Sequence, residues 1–262
     1  MNGATALILA GRRPGGDAFA TRAGVSHKAL IPICGVPMIA RVVRALQESG
    51  RIARMVVAIE DADALHGCSE LAEPLARGEV EIVPAGISPG ATVRQVLERF
   101  SGPWPLVVTT ADHALLRPEM IRVLLDQAPP DADVVVGTVA AETLHAAYPE
   151  VRRTLLRFRD GGIKGANLFL FPRTAAAGAL MAFWQSAEQD RKTPWRLVAR
   201  IGPMTALRFV LGWLPAGEVL QRLSQLTGAH VAFVRLPFAE AALDVDDEED
   251  QALAEQILRR RS

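Results

Sequence analysis

The feature that most constrains this chain is a short apolar run that stops at a glycine. Ala4 to Ala10 is apolar almost throughout, reaches Gly11, and then breaks into Arg12-Arg13-Pro14-Gly15-Gly16. Such a run, bounded by glycine and proline, reads as a buried strand that delivers the backbone into a loop. Glycines there let main chain approach a ligand closely, and successive free N–H groups form an anion-binding concavity. Lys28 follows in His27-Lys28-Ala29-Leu30 as a point charge suited to phosphate. A helical stretch from Met38 to Glu48 then begins after Pro37 and closes at Gly50. The plain reading of this stretch is a strand, a loop and a helix; the placement of the lysine adds phosphate to it.

Further strands repeat the theme. Met55–Ile59, Val80–Pro84 and Leu106–Thr110 are apolar runs, and a helix is expected between the last two, from Val93 to Phe100. Strands alternating with helical segments predict βαβ units and a mostly parallel sheet. In such sheets ligands bind beyond the carboxyl ends of the strands. Gly11, the stretch Gly86 to Thr92, and Asp112 all fall at those ends. The second half is less regular. Val134–Thr138, Arg152–Asp160, Ala166–Phe171 and Val231–Leu236 are read as strands, with Gly161 to Gly165 as the link between the middle two. From Trp195 to Leu214 apolar residues recur at helical spacing, interrupted at Gly202-Pro203. That stretch fits core packing, a dimer surface, a lid or a patch meeting a lipid-like acceptor. A terminal helix runs to about Arg260.

The length of 262 residues suits one α/β domain, taken as 1–262, with a regular half over 1–140 and a less regular half over 141–262. The formal net charge is zero, which gives no reason to expect nucleic acid as a partner. Any phosphate binding must therefore come from local basic clusters. Two cysteines, Cys34 and Cys68, do not make a disulfide framework. The start of the chain lacks a signal peptide's basic leader, and no apolar run reaches the roughly 20 residues that span a bilayer. The expected location is cytoplasmic.

Three clusters carry chemistry. Asp112 directly follows a strand, where a carboxylate can hold Mg²⁺ against triphosphate oxygens; a turn or helix-capping aspartate is the plainer reading. Asp244-Val245-Asp246-Asp247-Glu248-Glu249-Asp250 is an acidic run before the terminal helix. Alternation puts Asp244 and Asp246 on one face, so either can join Asp112, with Asp246 favoured. Asp247 to Asp250 suit a helix N-terminus. Arg152, Arg153, Arg157, Arg159 and Lys164 form a basic set ahead of Asn167, fit either for an acceptor phosphate or for a solvated strand face.

Leu-Ile-Leu-Ala-Gly over 7–11, the glycine-containing loop, and His27-Lys28-Ala29-Leu30-Ile31-Pro32 through Met38 together resemble the amino-terminal signature of the MobA-like nucleotidyltransferases. The likeness covers roughly residues 4–120 and, less closely, 240–258. It implies a Rossmann-like three-layer sandwich of the nucleotide-diphospho-sugar transferase type, here with a helical insertion near 185–228. It further implies that Leu9, Ala10 and Gly11 meet base and ribose, and that Arg12, Arg13 and Lys28 meet phosphate. Gly86, Gly90 and Thr92 belong to the stretch that resembles the family's base- and ribose-reading loop. Asp112 with Asp246 or Asp244 would hold Mg²⁺ or Mn²⁺, while Asn167, with Arg153 and Lys164, would face the acceptor. The sequence departs from the family in its longer spacer, Asp17 to Ser26, and in His113-Ala114 after the aspartate. The implied reaction is transfer of a nucleoside monophosphate, cytidylyl or guanylyl, from a triphosphate (CTP or GTP) to a phosphorylated small-molecule or lipid-headgroup acceptor. A homodimer is compatible with this reading. The alternatives are a glycosyltransferase that uses a nucleotide sugar and a non-catalytic nucleotide-binding protein.

Overall fold

A computed structural model of the chain describes residues 3–12, 16–99, 104–172, 178 and 202–261. Arg13, and the part of the Trp195–Leu214 stretch before Gly202, lie outside the described residues. The first strand, β1 (Ala4–Leu9), is followed by a short helix α1 (Ala18–Arg22) and a single 3-10 turn at Lys28–Leu30. A two-stranded hairpin, β2 (Pro32–Ile33) with β3 (Val36–Pro37), leads into α2 (Met38–Glu48). Next come β4 (Ile52–Ile59), α3 (Asp63–His66), α4 (Ser69–Ala76), β5 (Val80–Pro84), α5 (Pro89–Arg99) and β6 (Leu106–Thr110). The second half holds α6 (Pro118–Asp126), β7 (Val134–Ala140), α7 (Ala141–Ala147), β8 (Leu156–Phe158) and β9 (Gly161–Phe171). Then α8 (Pro203–Val210), α9 (Ala216–Thr227), β10 (Val231–Arg235) and α10 (Glu248–Arg261) complete the described chain.

The main sheet has the order β10-β7-β9-β6-β1-β4-β5, with β8 added against β9. Pairs β1–β4, β1–β6, β4–β5 and β10–β7 are parallel, as the alternation of strands and helices predicts. β9 alone runs backwards through the middle, antiparallel to both β6 and β7. The chain leaves β1 in one direction for β4 and β5 and returns to β6 on the other side of β1. The boundary between β1 and β6 is therefore the topological switch point, where the loops above the strand ends diverge and leave a crevice.

Both faces of the sheet are covered, which explains why its strands read as continuous apolar runs. In β1, Ala6 and Ile8 join a core with Ile39, Val42, Leu46, Leu71, Met120, Leu124 and Ile257, from α2, α4, α6 and α10. Leu7 turns the other way, to Val93 and Leu97 of α5, with Leu220 and Leu223 of α9 packed on that cluster. The result is a three-layer α/β arrangement. Each fully buried Leu or Ile stabilises it by roughly 1.5–3 kcal/mol. In α2, Ile39, Val42, Val43 and Leu46 recur at the spacing of one helical face and are buried. No helix among the described residues is long and apolar enough to cross a membrane.

The structure departs from the sequence reading at several elements. Helix α5 begins at Pro89, ahead of the expected Val93, because Ser88 caps it: its hydroxyl accepts the N–H of Ala91 at 3.2 Å. The glycines at 161, 162 and 165 do not form the link between two strands. They lie within β9, and the turn falls at Arg159-Asp160. At Gly162 glycine serves because α7 packs close: a Cβ there would lie 2.9 Å from the Cβ of Ala141. Asp244 to Asp246 are not part of a strand. The expected interruption at Gly202-Pro203 agrees with the structure, where Gly202 is the N-cap of α8 and proline lies in its first turn.

Candidate functional site

The switch point is lined by the ends of β1, β4 and β6. At the end of β1 the N–H of Ala10 donates to the carbonyl of Ala58 (2.9 Å), and the N–H of Ala111 donates to the carbonyl of Leu9 (2.9 Å). These bonds carry the parallel ladder past the last strand residues and fix where the loops begin. Gly11 then passes between two neighbours: a Cβ there would lie 3.0 Å from both Ala85 Cβ and Glu60 Oε1. Glu60 receives the next main-chain N–H, that of Arg12, at 2.7 Å. The sequence reading missed Glu60, although the signal was present. It follows the apolar strand Met55–Ile59 just as Asp112 follows Leu106–Thr110. Arg12 is exposed at the mouth of the loop.

Lys28 sits in the 3-10 turn and points to the same strand ends. Its Nζ donates to Asp112 Oδ2 at 2.7 Å and to Asp246 Oδ1 at 2.5 Å. The Lys28 side chain is 18% exposed and that of Asp112 23%. Burial pulls the Lys28 pKa down, but the two carboxylates outweigh it, so the pKa is raised and the ammonium stays charged. Asp112 is oriented by Thr110, whose hydroxyl donates to Oδ1 at 2.5 Å. The acidic segment is locked to the end of β6 by the N–H of Val245, which donates to the carbonyl of Asp112 at 3.1 Å. Val245 itself is buried. The expected pairing of Asp112 with Asp246 thus takes the form of two carboxylates on one ammonium.

The other expected carboxylate, Asp244, faces a different set. Asn167 Nδ2 donates to its Oδ2 at 3.4 Å, and Lys164 Nζ lies 3.9 Å from the same oxygen. The guanidinium of Arg153 reaches its main-chain oxygen at 3.1 Å. Lys164 and Asn167 come to this edge because β9 runs backwards. Its first residues lie beside the last residues of β6 and β7, with Leu168 opposite Thr109 and Lys164 opposite Val139. Asn167 adopts φ 46°, a left-handed conformation that asparagine tolerates better than most residues. Arg152 ahead of β8, Arg157 within it and Arg159 in the turn that follows are all exposed.

On the far side of the crevice, the loop after β5 is braced by Thr92. Its hydroxyl accepts the N–H of Gly86 at 2.9 Å and donates to the carbonyl of Ser88 at 3.0 Å. Thr92 and Gly90 are buried beneath the loop. His113 is also buried. Burial pushes its pKa down from 6.5 to about 4, against the opposing pull of Asp112 and Asp244. Its Nδ1 lies 3.4 Å from Thr109 Oγ1, and Nε2 has no hydrogen-bond partner. It is a neutral imidazole under the site. His27 is likewise buried with its pKa lowered, first by burial and then by Arg12.

Among the described residues no group of three or more His, Cys, Asp or Glu side chains is arranged to hold a metal ion. Two carboxylates already converging on one cation nevertheless fit Mg²⁺, which takes one or two carboxylates and completes its shell with phosphate oxygens and water. Hard oxygen donors exclude a soft-metal site.

Comparison with known proteins bears on the family and the fold. A family model described as MobA-like NTP transferase domain matches residues 6–208. A 2-C-methyl-D-erythritol 4-phosphate cytidylyltransferase from Solibacter usitatus is 26% identical over 151 residues, covering 54% of this chain and 61% of that protein. The chain thus spans about three fifths of the curated relative it matches. Among solved structures, a hypothetical transferase from Thermus thermophilus superposes with a TM-score of 0.79 at 29% identity, over 96% of this chain and 100% of that one. A CMP:2-keto-3-deoxy-manno-octonic acid synthetase complexed with CTP shares the fold at TM-score 0.59 and 14% identity, over 100% of both chains.

Proposed function

The family match spans most of the chain, which therefore belongs to the MobA-like NTP transferase domain family, and on that premise we propose a divalent-cation-dependent nucleotidyltransferase. The donor is a nucleoside triphosphate and the acceptor carries a phosphate. One oxygen of that phosphate attacks the α-phosphorus, a new phosphoanhydride bond forms, and the bond to the β-phosphate breaks to release pyrophosphate. The names of the relatives favour CTP over GTP. The observation that carries the reading is the convergence of Lys28, Asp112 and Asp246 at the switch point, beside the glycine turn of β1.

In this reading each group has one task. Leu9, Ala10 and Gly11 give main chain that base and ribose can approach, and Thr92 holds the opposing loop with Gly86 and Gly90. Arg12, Arg13 and Lys28 bind the triphosphate, and Lys28 stabilises charge that develops as pyrophosphate leaves. Asp112 and Asp246 hold Mg²⁺ or Mn²⁺, which when bound neutralises phosphate oxygens. Lys164 and Asn167 receive the acceptor phosphate at the start of β9, while the buried, neutral His113 adds no charge to the floor of the site. Catalysis is then positioning and charge neutralisation, with little proton transfer.

The test is pyrophosphate release. The protein is incubated with Mg²⁺ and each of the four triphosphates, together with a panel of sugar and polyol phosphates and their dephosphorylated forms. Release with CTP that requires both acceptor phosphate and Mg²⁺ is the expected outcome. Release of nucleoside diphosphate from a nucleotide sugar would move the protein to the glycosyltransferases, and tight triphosphate binding without turnover would make it a binding protein.

A further inference from the structure

Arg153 stands with the basic residues that precede Asn167 in the sequence, but its surroundings set it apart from them. It lies ahead of β8 and reaches across to the segment that leads into α10. Nη2 donates to Asp250 Oδ1 at 2.5 Å and Nη1 to Asp250 Oδ2 at 3.3 Å, a fork on one carboxylate. Nη2 also donates to the main-chain oxygen of Asp244 at 3.1 Å, and Nε lies 4.0 Å from Asp244 Oδ1. The Arg153 and Asp250 side chains are 17% and 11% exposed. Asp250 passes the contact on: its Oδ2 accepts the main-chain N–H of Asp246 at 3.0 Å. The guanidinium therefore grips the acidic segment at Asp244 and at Asp250, and Asp246 is the residue held between those two points.

We infer that Arg153 is a positioning residue, which through Asp250 fixes the carboxylate of Asp246 where Lys28 and a divalent cation meet it. This rests on the reading of Asp246 as a cation-holding carboxylate. The segment needs such support because Leu243 to Asp247 belongs to neither helix nor strand, so no ladder of main-chain bonds sets its shape. An acceptor-binding role fits the geometry less well. Both Nη2 donors and one on Nη1 are already used within the protein, and Nε is buried out of reach of a ligand with no hydrogen-bond partner. Two carboxylates also offset the charge that would attract a phosphate. Lys164 and Asn167, which contact only one aspartate between them, remain the groups that face outward to an acceptor.

The experiment compares Arg153→Ala, Arg153→Lys and Asp250→Asn with the parent in two readouts. The first is Mn²⁺ binding in the presence of CTP, followed by the electron paramagnetic resonance signal of free Mn²⁺. Removal of an outer partner of a metal ligand typically lowers metal affinity by about 10–100-fold. Arg153→Ala and Asp250→Asn should therefore raise the half-saturating Mn²⁺ concentration by about tenfold or more, with Arg153→Lys intermediate. The double variant should lose no more than the worse single variant, because both act on one contact. At saturating Mn²⁺, the KM for the acceptor should stay within about twofold of the parent. A selective rise in acceptor KM, with Mn²⁺ binding unchanged, would overturn the assignment. The second readout is amide hydrogen exchange without ligands. Arg153→Ala should speed exchange over residues 244–250 and leave β1 and β6 protected. Unchanged exchange in 244–250 would sink the idea even if the parent bound no Mn²⁺, a result that would count against the proposed function separately.

Discussion

Lys28 is the residue on which the site turns, because it is the cation that two carboxylates from distant segments share. Replacing it with alanine leaves Asp112 half-buried without its cation and, on the proposed function, removes a preorganised charge from the leaving pyrophosphate. Turnover should fall by about 2–4 kcal/mol of transition-state stabilisation, read from kcat/KM. A loss below about threefold would make Lys28 a structural residue only. Asp112→Asn should keep the fold, since the strand-end carboxylate is not core, and should abolish Mg²⁺-dependent triphosphate binding; unchanged binding in a calorimetric titration would remove Asp112 from the metal site. His113 makes a prediction about stability. Its pKa is about 4 in the folded protein against 6.5 when unfolded, so below pH 6.5 the unfolded chain takes up a proton that the folded chain refuses. Stability should therefore fall as pH drops from about 6.5 to about 4, by up to about 3 kcal/mol from this group. Urea unfolding at stepped pH should show a shallower acid slope for His113→Gln than for the parent; equal slopes would assign the acid loss to other groups.

At the scale of elements, the parallel strands were readable because sheets covered on both faces demand unbroken apolar runs, and Ala4–Ala10 and Leu106–Thr110 are such runs. β9 was readable only in part: Ala166–Phe171 reads as a strand, whereas the stretch from Gly161 to Gly165 does not. Its glycines imitate a loop; Gly162 is needed because α7 packs close, and Gly161 because its φ is +119°. The same division runs through the candidate site. Lys28, Asp112 and Asp246 announce themselves locally as charged residues beside strand ends or a helix start. That they meet at one point follows from the order of strands in the sheet, which local pattern does not encode. Glu60 was legible as a carboxylate at a strand end; only its partner, the main-chain N–H of Arg12, leaves no mark in a sequence. The loop after β5 supplies a prediction of its own. Thr92→Val keeps the volume but strips the hydroxyl that ties Gly86 to Ser88. Leaving these groups unpaired should cost about 1–3 kcal/mol of stability and weaken triphosphate binding as the loop loosens. Thermal unfolding and a nucleotide titration check it, and an unchanged Tm would show the brace to be dispensable.

The whole molecule carries no net charge, so its affinity for a polyanion has to be built from groups gathered at one edge of the sheet. Those groups come from the entire length of the described chain: Lys28 and Asp246, which touch, stand 218 positions apart. A ligand that bridges them should stabilise the fold globally, by about 2.7 kcal/mol at a hundredfold excess over its Kd. The rise in Tm with CTP and Mg²⁺ together should exceed the sum of the separate rises; simple additivity would mean the two bind independently. The shared ammonium also has a consequence in time. A divalent ion arriving alone meets two aspartates already occupied by an internal rival that cannot diffuse away. On the proposed function, triphosphate would offer Lys28 a better-charged partner and draw it off, and only then would both carboxylates come free. On that reading nucleotide should therefore lead and metal follow, and pre-steady-state mixing with the metal supplied first should gain no head start.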